Sequence, residues 1–270
     1  MTVIPRAMTI AGSDSGGGAG IQADLKTFAA LGVYGTSVVT AITAQNTVEV
    51  SDVHEVPVKN VRAQIEAVLS DIGADAVKTG MLSSVAIISS VSDALRSYNV
   101  KTLVVDPVMV SKSGDRLLKS NASKALRDDL FPLATVVTPN IPEAEALTGM
   151  TITSPSDVAD AASRILKTGA RAVIVKGGHL KGDPIDRLFA EGIMREFIVP
   201  RIASKNTHGT GCTFAAAIAA GLAHSLSLDD AVIQAKNFVT EAIRTARPIG
   251  RGHGPLNHFH ALRNSMMLQQ

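Results

Sequence analysis

Short apolar runs rich in β-branched residues alternate, along nearly the whole chain, with longer segments of helical period, and this rhythm restricts the fold more than any other feature. Strands are expected over 7–11, 35–42, 76–78, 101–105, 135–138 and 172–175. Residues 19–31 place Ile21, Leu25 and Phe28 at helical spacing, and 60–71 repeat the pattern through Val61, Ile65, Val68 and Leu69. Such alternation builds βαβ units, whose crossovers lay helices over both faces of a mainly parallel sheet. The expected fold class is therefore α/β, with three α/β/α layers. The stretch 188–201 departs from the rhythm: Glu191-Gly192 stands between two short apolar runs and predicts an antiparallel hairpin at a sheet edge. No repeat, low-complexity tract or linker divides the chain, so 1–264 are expected to form one domain and 265–270 a frayed tail.

A chain of 270 residues suffices for one large α/β domain, and 46% hydrophobic against 19% charged residues suits a soluble globular protein. The balance of 26 Lys+Arg against 24 Asp+Glu leaves a formal charge of +2, too small for a nucleic-acid footprint. Aromatics at 3% and the absence of Trp offer no platform for stacking bases. A single cysteine excludes an internal disulfide and suits a reducing compartment. The first eight residues carry no secretory pattern, and no apolar run approaches a bilayer span. A cytoplasmic protein acting on small molecules is expected, with neither nucleic acid nor membrane as partner.

Parallel sheets collect functional groups at the carboxyl ends of their strands. Here Asp106 follows 101–105, Asn140 and Glu143 follow 135–138, and Lys176-Gly177-Gly178-His179 follows 172–175. Asn140 and Glu143, three apart, project to one side of a helix and suit Mg²⁺, which takes one or two carboxylates plus phosphate oxygens. Equally, Asn140 suits the cap of a helix over 142–147. Lys176 is placed to give a phosphate a point charge, or else is a solvated lysine. Asp183 and Asp186 fall in 181–186, a turn by composition.

Gly209-Thr210-Gly211-Cys212 opens a small-residue run over 213–220 that reads as a helix. Two glycines let backbone amides turn towards one point, and the helix dipole adds positive potential there, so the corner suits an anion. A thiol in that corner is expected to ionise more readily than a free one and to serve as base or nucleophile. Otherwise Cys212 is a small buried apolar residue, and position alone leaves both roles open. The glycine-rich loop 12–20 is neither a Walker loop nor a dinucleotide fingerprint. It is a bare turn, a close approach to substrate, or a close approach to a neighbouring subunit. Phosphoryl transfer needs phosphate positioning, metal, positive charge and a base for the attacking hydroxyl, and these groups together supply each part.

The segments Thr9 to Asp14, Gly17 to Thr27, Thr43 to Thr47, Lys78 to Leu82, Asp106 to Val110, Thr138 to Asn140, Val175 to His179 and Asn206 to Thr213 carry a resemblance over nearly the whole chain. The sequence resembles the ribokinase-like superfamily and, within it, the hydroxymethylpyrimidine/phosphomethylpyrimidine kinases of thiamin biosynthesis. That resemblance implies an enzyme that uses Mg-ATP to phosphorylate 4-amino-5-hydroxymethyl-2-methylpyrimidine and then its monophosphate. It implies a pyrimidine pocket at Gly12, Asp24, Gln45, Met81 and Val108, with the Gln45 amide pairing a ring nitrogen and an exocyclic amine. It implies ATP and phosphate contacts at Lys176, Asn140 and Thr207, Mg²⁺ at Glu143 and Asp106, and an anion hole at Gly209, Thr210 and Gly211. Cys212 then stands as the base where sugar kinases of the superfamily carry Asp. A homodimer is also implied. The nearest competing activity is pyridoxal or pyridoxine phosphorylation on the same scaffold; a non-catalytic ligand sensor is disfavoured by the intact set of phosphoryl-transfer groups. The adenine pocket is expected near 235–244, and 247–255 either fold over the nucleotide or form a plain loop.

Overall fold

Nine strands and eight α-helices alternate through the computed structural model, which describes residues 4–109, 122–179 and 182–260. In chain order they are β1 Arg6–Asp14, α1 Gly20–Ala30, β2 Tyr34–Gln45, β3 Val50–Glu55, α2 Val58–Asp71, β4 Ala76–Thr79, α3 Val85–Ser97 and β5 Leu103–Val105. There follow α4 Ala122–Ala125, β6 Val136–Val137, α5 Ile141–Thr148, α6 Pro155–Leu166, β7 Ala172–Val175, β8 Ile185–Ala190, β9 Ile193–Ile198, α7 Thr210–Ala223 and α8 Leu228–Arg244. The strands form one sheet in the order β3-β2-β1-β4-β5-β6-β7-β8-β9. Six central strands, β2, β1, β4, β5, β6 and β7, run parallel, while β3 at one edge and the β8–β9 hairpin at the other run antiparallel. The three-layer α/β/α arrangement is the expected one. The tail 265–270 lies outside the described residues. Among those described, no helix is long and apolar enough to cross a membrane.

The central strands are apolar on both sides because helices cover both faces. One core joins Ile10, Val77 and Val105 to Ile65, Ile88, Leu147 and Ile165, the inward faces of α2, α3, α5 and α6. The other joins Ala7, Val104 and Ile174 to Phe28, Ile218 and Phe238, from α1, α7 and α8. Helix α7 buries Phe214, Ile218 and a run of alanines against the sheet; small side chains let it lie close to the strands, which puts its N-terminus at their carboxyl edge.

Three expectations are revised. Strand β3 was not foreseen, because its side chains are mostly exposed and show no buried face. The hairpin starts at 185 rather than 188. Asp186, read as part of a turn, lies in β8, where its carboxylate accepts from Lys236 Nζ (2.6 Å) and the Gly177 amide (2.9 Å). The turn itself is as expected: Glu191 and Gly192 both have positive φ (53° and 76°), which suits a two-residue hairpin loop.

Candidate active site

At the carboxyl edge the parallel strands deliver their polar residues to one place. Asp106, just past β5, accepts at Oδ1 from Lys176 Nζ (3.0 Å) and from Thr138 Oγ1 (3.3 Å). Its Oδ2 is buried without a partner. Lys176, just past β7, also lies 4.0 Å from Glu143 Oε2. Burial would lower the Lys176 pKa, but Asp106 and Glu143 outweigh it, so the ammonium stays charged. Gly211 leaves room for this cluster: a Cβ there would stand 3.3 Å from Lys176 Nζ and 3.7 Å from Asp106 Oδ2.

Asn140 and Glu143 form a reciprocal cap on α5, with the Glu143 amide donating to Asn140 Oδ1 (2.9 Å) and the Asn140 amide to Glu143 Oε2 (2.8 Å). The capping reading is the one observed, and the capping carboxylate also faces Lys176. Burial, reinforced by Asp106, raises the Glu143 carboxyl to about 7 against the pull of Lys176 and the Asn140 amide. Among the described residues, no group of three or more His, Cys, Asp or Glu could hold a metal. Two carboxylates still suit Mg²⁺, which takes only one or two beside phosphate oxygens.

Helix α7 begins in the same corner. Its cap Gly209 has φ 82°, and a Cβ there would sit 1.8 Å from the Gly18 carbonyl oxygen. Thr210 donates through Oγ1 (2.7 Å) and its amide (3.3 Å) to the Thr207 carbonyl, so Thr207 orders the corner through its backbone. In the second turn's approach, buried Thr213 pairs its Oγ1 with His258 Nε2 (2.9 Å); burial pushes that imidazole down to about 4, leaving it neutral.

Cys212 is half-buried and free. The expected easy ionisation is reversed. Burial pushes the thiol up to about 11, with Asp24 and Asp106 adding to the rise, while Lys78 and the Gly20 amide oppose it. The corner logic names the right opposing groups, but desolvation outweighs them.

Lys78, on β4, is fully buried, donates to Asp24 Oδ2 (2.8 Å), and stays charged because Asp24 and Asp106 oppose the effect of its burial. Asp24 also accepts from Thr9 Oγ1 (2.6 Å) and has no exposed surface. Its Oδ2 thus faces Lys78, while its Oδ1 is buried without a partner. Gly12 and Met81 are adjacent, a Cβ on Gly12 standing 3.2 Å from Met81 Sδ. The Val108 amide donates to the Asp106 carbonyl (2.8 Å), and Gln45 ends β2 beside His208. The glycine-rich loop packs against the chain's own 208–209 segment, where a Cβ on Gly18 would meet His208 Cδ2 at 2.4 Å.

Sequence reasoning passed over Lys78, Asp14 and His208. A lysine within the buried run Ala76–Thr79 is itself a signal, because charges enter such strands only when paired. Segment 247–255 proves to be a strap: the Gly252 amide donates to Thr47 Oγ1 (3.1 Å), the His253 amide to the Thr47 carbonyl (2.9 Å), and the His208 amide to the Gly254 carbonyl (3.0 Å). It ties the end of β2 to the segment leading into α7.

The fold matches the solved ADP complex of Bacillus subtilis pyridoxal kinase with a TM-score of 0.89 and 40% identity, over 97% of this chain and 99% of that one. The architecture is therefore that of the ribokinase-like small-molecule kinases. The family model for phosphomethylpyrimidine kinase matches residues 14–257. The hydroxymethylpyrimidine/phosphomethylpyrimidine kinase of Bacillus subtilis is 49% identical, over 97% of this chain and 98% of its own length. The thiamine biosynthesis bifunctional protein ThiED of Geobacter sulfurreducens is 55% identical over 94% of this chain, which spans 52% of that longer protein. The chain belongs to the phosphomethylpyrimidine kinase family.

Proposed function

We propose that this enzyme transfers the γ-phosphoryl group of ATP to the 5-hydroxymethyl oxygen of 4-amino-5-hydroxymethyl-2-methylpyrimidine, and then phosphorylates that monophosphate to the diphosphate. The observation that carries this reading is the family match over 14–257, which spans the glycine loop from Asp14 on, the acid–lysine cluster and the cysteine corner. ATP as donor is supported by the ADP complex of the pyridoxal kinase neighbour. Gln45, Gly12, Met81 and Val108 face the pyrimidine, and the amides of Gly209, Thr210 and Gly211 receive the phosphoryl group being transferred. Lys176, Asn140 and Thr207 serve the ATP phosphates.

Asp106, with its unpartnered buried Oδ2, and Glu143 suit Mg²⁺. When bound, Mg²⁺ supplies neutralising charge to the phosphates. Cys212, neutral in the free protein, orients the acceptor hydroxyl, and the proton of that hydroxyl passes to an oxygen of the transferred phosphoryl group as the bond to ADP breaks. We also read the enzyme as a cytoplasmic homodimer, supported by its family likeness and by a lone thiol that suits a reducing compartment.

Pyridoxal is a second candidate acceptor, favoured by the likeness to the Bacillus subtilis pyridoxal kinase. ADP release measured with the pyrimidine and with pyridoxal under identical Mg-ATP separates the two. A higher kcat/KM for the pyrimidine is expected, and the reverse order would replace this reading with a pyridoxal kinase.

A further inference from the structure

Lys236 and Asp186 form a buried ion pair that the roles given above do not use. Lys236, on α8, donates through Nζ to Asp186 Oδ2 (2.6 Å) and to the Pro184 carbonyl (2.8 Å), while the Gly177 amide donates to Asp186 Oδ1 (2.9 Å). Asp186 is 6% and Lys236 7% exposed. Taking two charges out of water is costly, so a buried pair is weak evidence for stability on its own. Its place in the sheet says more.

That place is beside Lys176. Ala172 and Ile174 of β7 face the core under α1, α7 and α8, and Val173 and Val175 face the opposite one. Alternation along the strand therefore turns Lys176 to the α7 side, in keeping with its closeness to Gly211. On β8, Leu188 faces that same core, and Asp186, two residues earlier, shares its face. Val175 pairs with Arg187 across the antiparallel ladder, and the register carried one step further sets Lys176 opposite Asp186. Opposite residues on one face bring their Cβ atoms to about 4.5–5.5 Å. The chains are still close one residue beyond, where a Cβ on Gly177 would stand 2.0 Å from the Ile185 carbonyl oxygen. Lys176 thus has a carboxylate on either side, yet its ammonium donates to Asp106 (3.0 Å) and leaves Asp186 to Lys236. Without a cation of its own, the buried Asp186 carboxylate would draw on the nearest one.

We propose that Lys236 is a positioning residue: by occupying Asp186 it leaves the Lys176 ammonium to Asp106, Glu143 and the phosphates of ATP. The inference rests on Lys176 serving those phosphates, as in the proposed function. Lys236 itself acts at a distance, through Asp186.

Lys236→Met removes the cation and leaves Asp186 to compete for Lys176. Calorimetric binding of AMP-PCP, a non-hydrolysable ATP analogue, in the presence of Mg²⁺ reads the result without turnover. The affinity should fall by about tenfold or more, the scale of losing a hydrogen bond to a charged group. In kinetics, KM for ATP should rise while KM for the pyrimidine stays near its original value. Lys236→Met/Asp186→Asn removes the competing charge as well. There the Asn oxygen can still accept from the Gly177 amide, and its NH₂ can donate to the Pro184 carbonyl that Lys236 vacates, so AMP-PCP affinity should recover most of the loss. Unchanged affinity in Lys236→Met would overturn the proposal. Equal losses in the single and double variants would overturn it too, since the pair would then only hold the turn after β7. Should Lys236→Met fail to fold, Lys236→Gln, which keeps a donor for Asp186 but no charge, carries the same expectation. Lys176→Met should also weaken AMP-PCP binding; unaltered affinity there would remove Lys176 from the phosphates, and so defeat that part of the proposed function together with this inference.

Discussion

Cys212 is neutral below about 11 and a thiolate only above it, so at cellular pH the free enzyme holds a thiol. Alkylation requires the thiolate, and this is the only cysteine in the sequence. The iodoacetamide rate should therefore still be climbing at about pH 9.5 in the ligand-free enzyme; a plateau below about pH 8 would contradict a thiol held up by burial. Substitution separates orienting from proton abstraction. Cys212→Ala should cut kcat by ~10²-fold, in the range for losing a positioned group at the reacting atoms. Cys212→Ser, which keeps a small hydrogen-bonding group but a far weaker acid, should retain most of the activity, and a loss as deep as that of alanine would restore the base. At Glu143 the buried carboxyl is poised near 7 beside Lys176 and Asp106. Glu143→Gln should raise the Mg²⁺ concentration giving half-maximal rate, and an unchanged Mg²⁺ titration would remove that carboxylate from the metal site.

The start of α7 depends on a glycine whose backbone and surroundings both exclude a side chain. Left-handed backbone costs a non-glycine residue about 1–3 kcal/mol, and at Gly209 a Cβ would also collide with the Gly18 carbonyl at 1.8 Å. Gly32 has a similar φ of 73° but open space around it. Gly209→Ala should therefore lower stability in urea titration more than Gly32→Ala does; equal losses would mean the two loops are not packed together. Alternation along the sequence was enough to place the six parallel strands and the edge where their polar ends gather, because buried strands on a covered sheet read as plain apolar runs. Strand β3 escaped because neither of its faces is buried, and the start of β8 because Asp186 and Arg187 are buried only through their partners Lys236 and Glu196. In the site, Lys176, Glu143 and Cys212 were visible one by one at strand and helix ends. The Asp14–His208 contact joins residues 194 positions apart, and no local pattern encodes it. The Cys212 thiol was misjudged for a related reason: amides and dipole are local and legible, whereas the burial that outweighs them comes from the assembled sheet and helices.

At the scale of the whole molecule, one sheet gathers the ends of β1, β2, β4, β5, β6 and β7 at one edge, α7 begins there, and the strap 247–255 joins Thr47, just past β2, to His208, just before α7. On the proposed reading such an edge holds two phosphorylation states of one acceptor in turn, since the groups assigned to the transferred phosphoryl belong to the start of α7 and those assigned to the ring belong to β1, β2 and the loops after β4 and β5. The central claim is that this edge carries out both phosphorylations of the aminopyrimidine. Phosphorus-31 NMR of the enzyme with Mg-ATP and 4-amino-5-hydroxymethyl-2-methylpyrimidine tests it most directly. The account predicts a monoester signal that rises and then gives way to the paired signals of a diphosphate ester as ADP accumulates. ATP left unconsumed with the pyrimidine, while pyridoxal is converted to its phosphate under the same conditions, would contradict it.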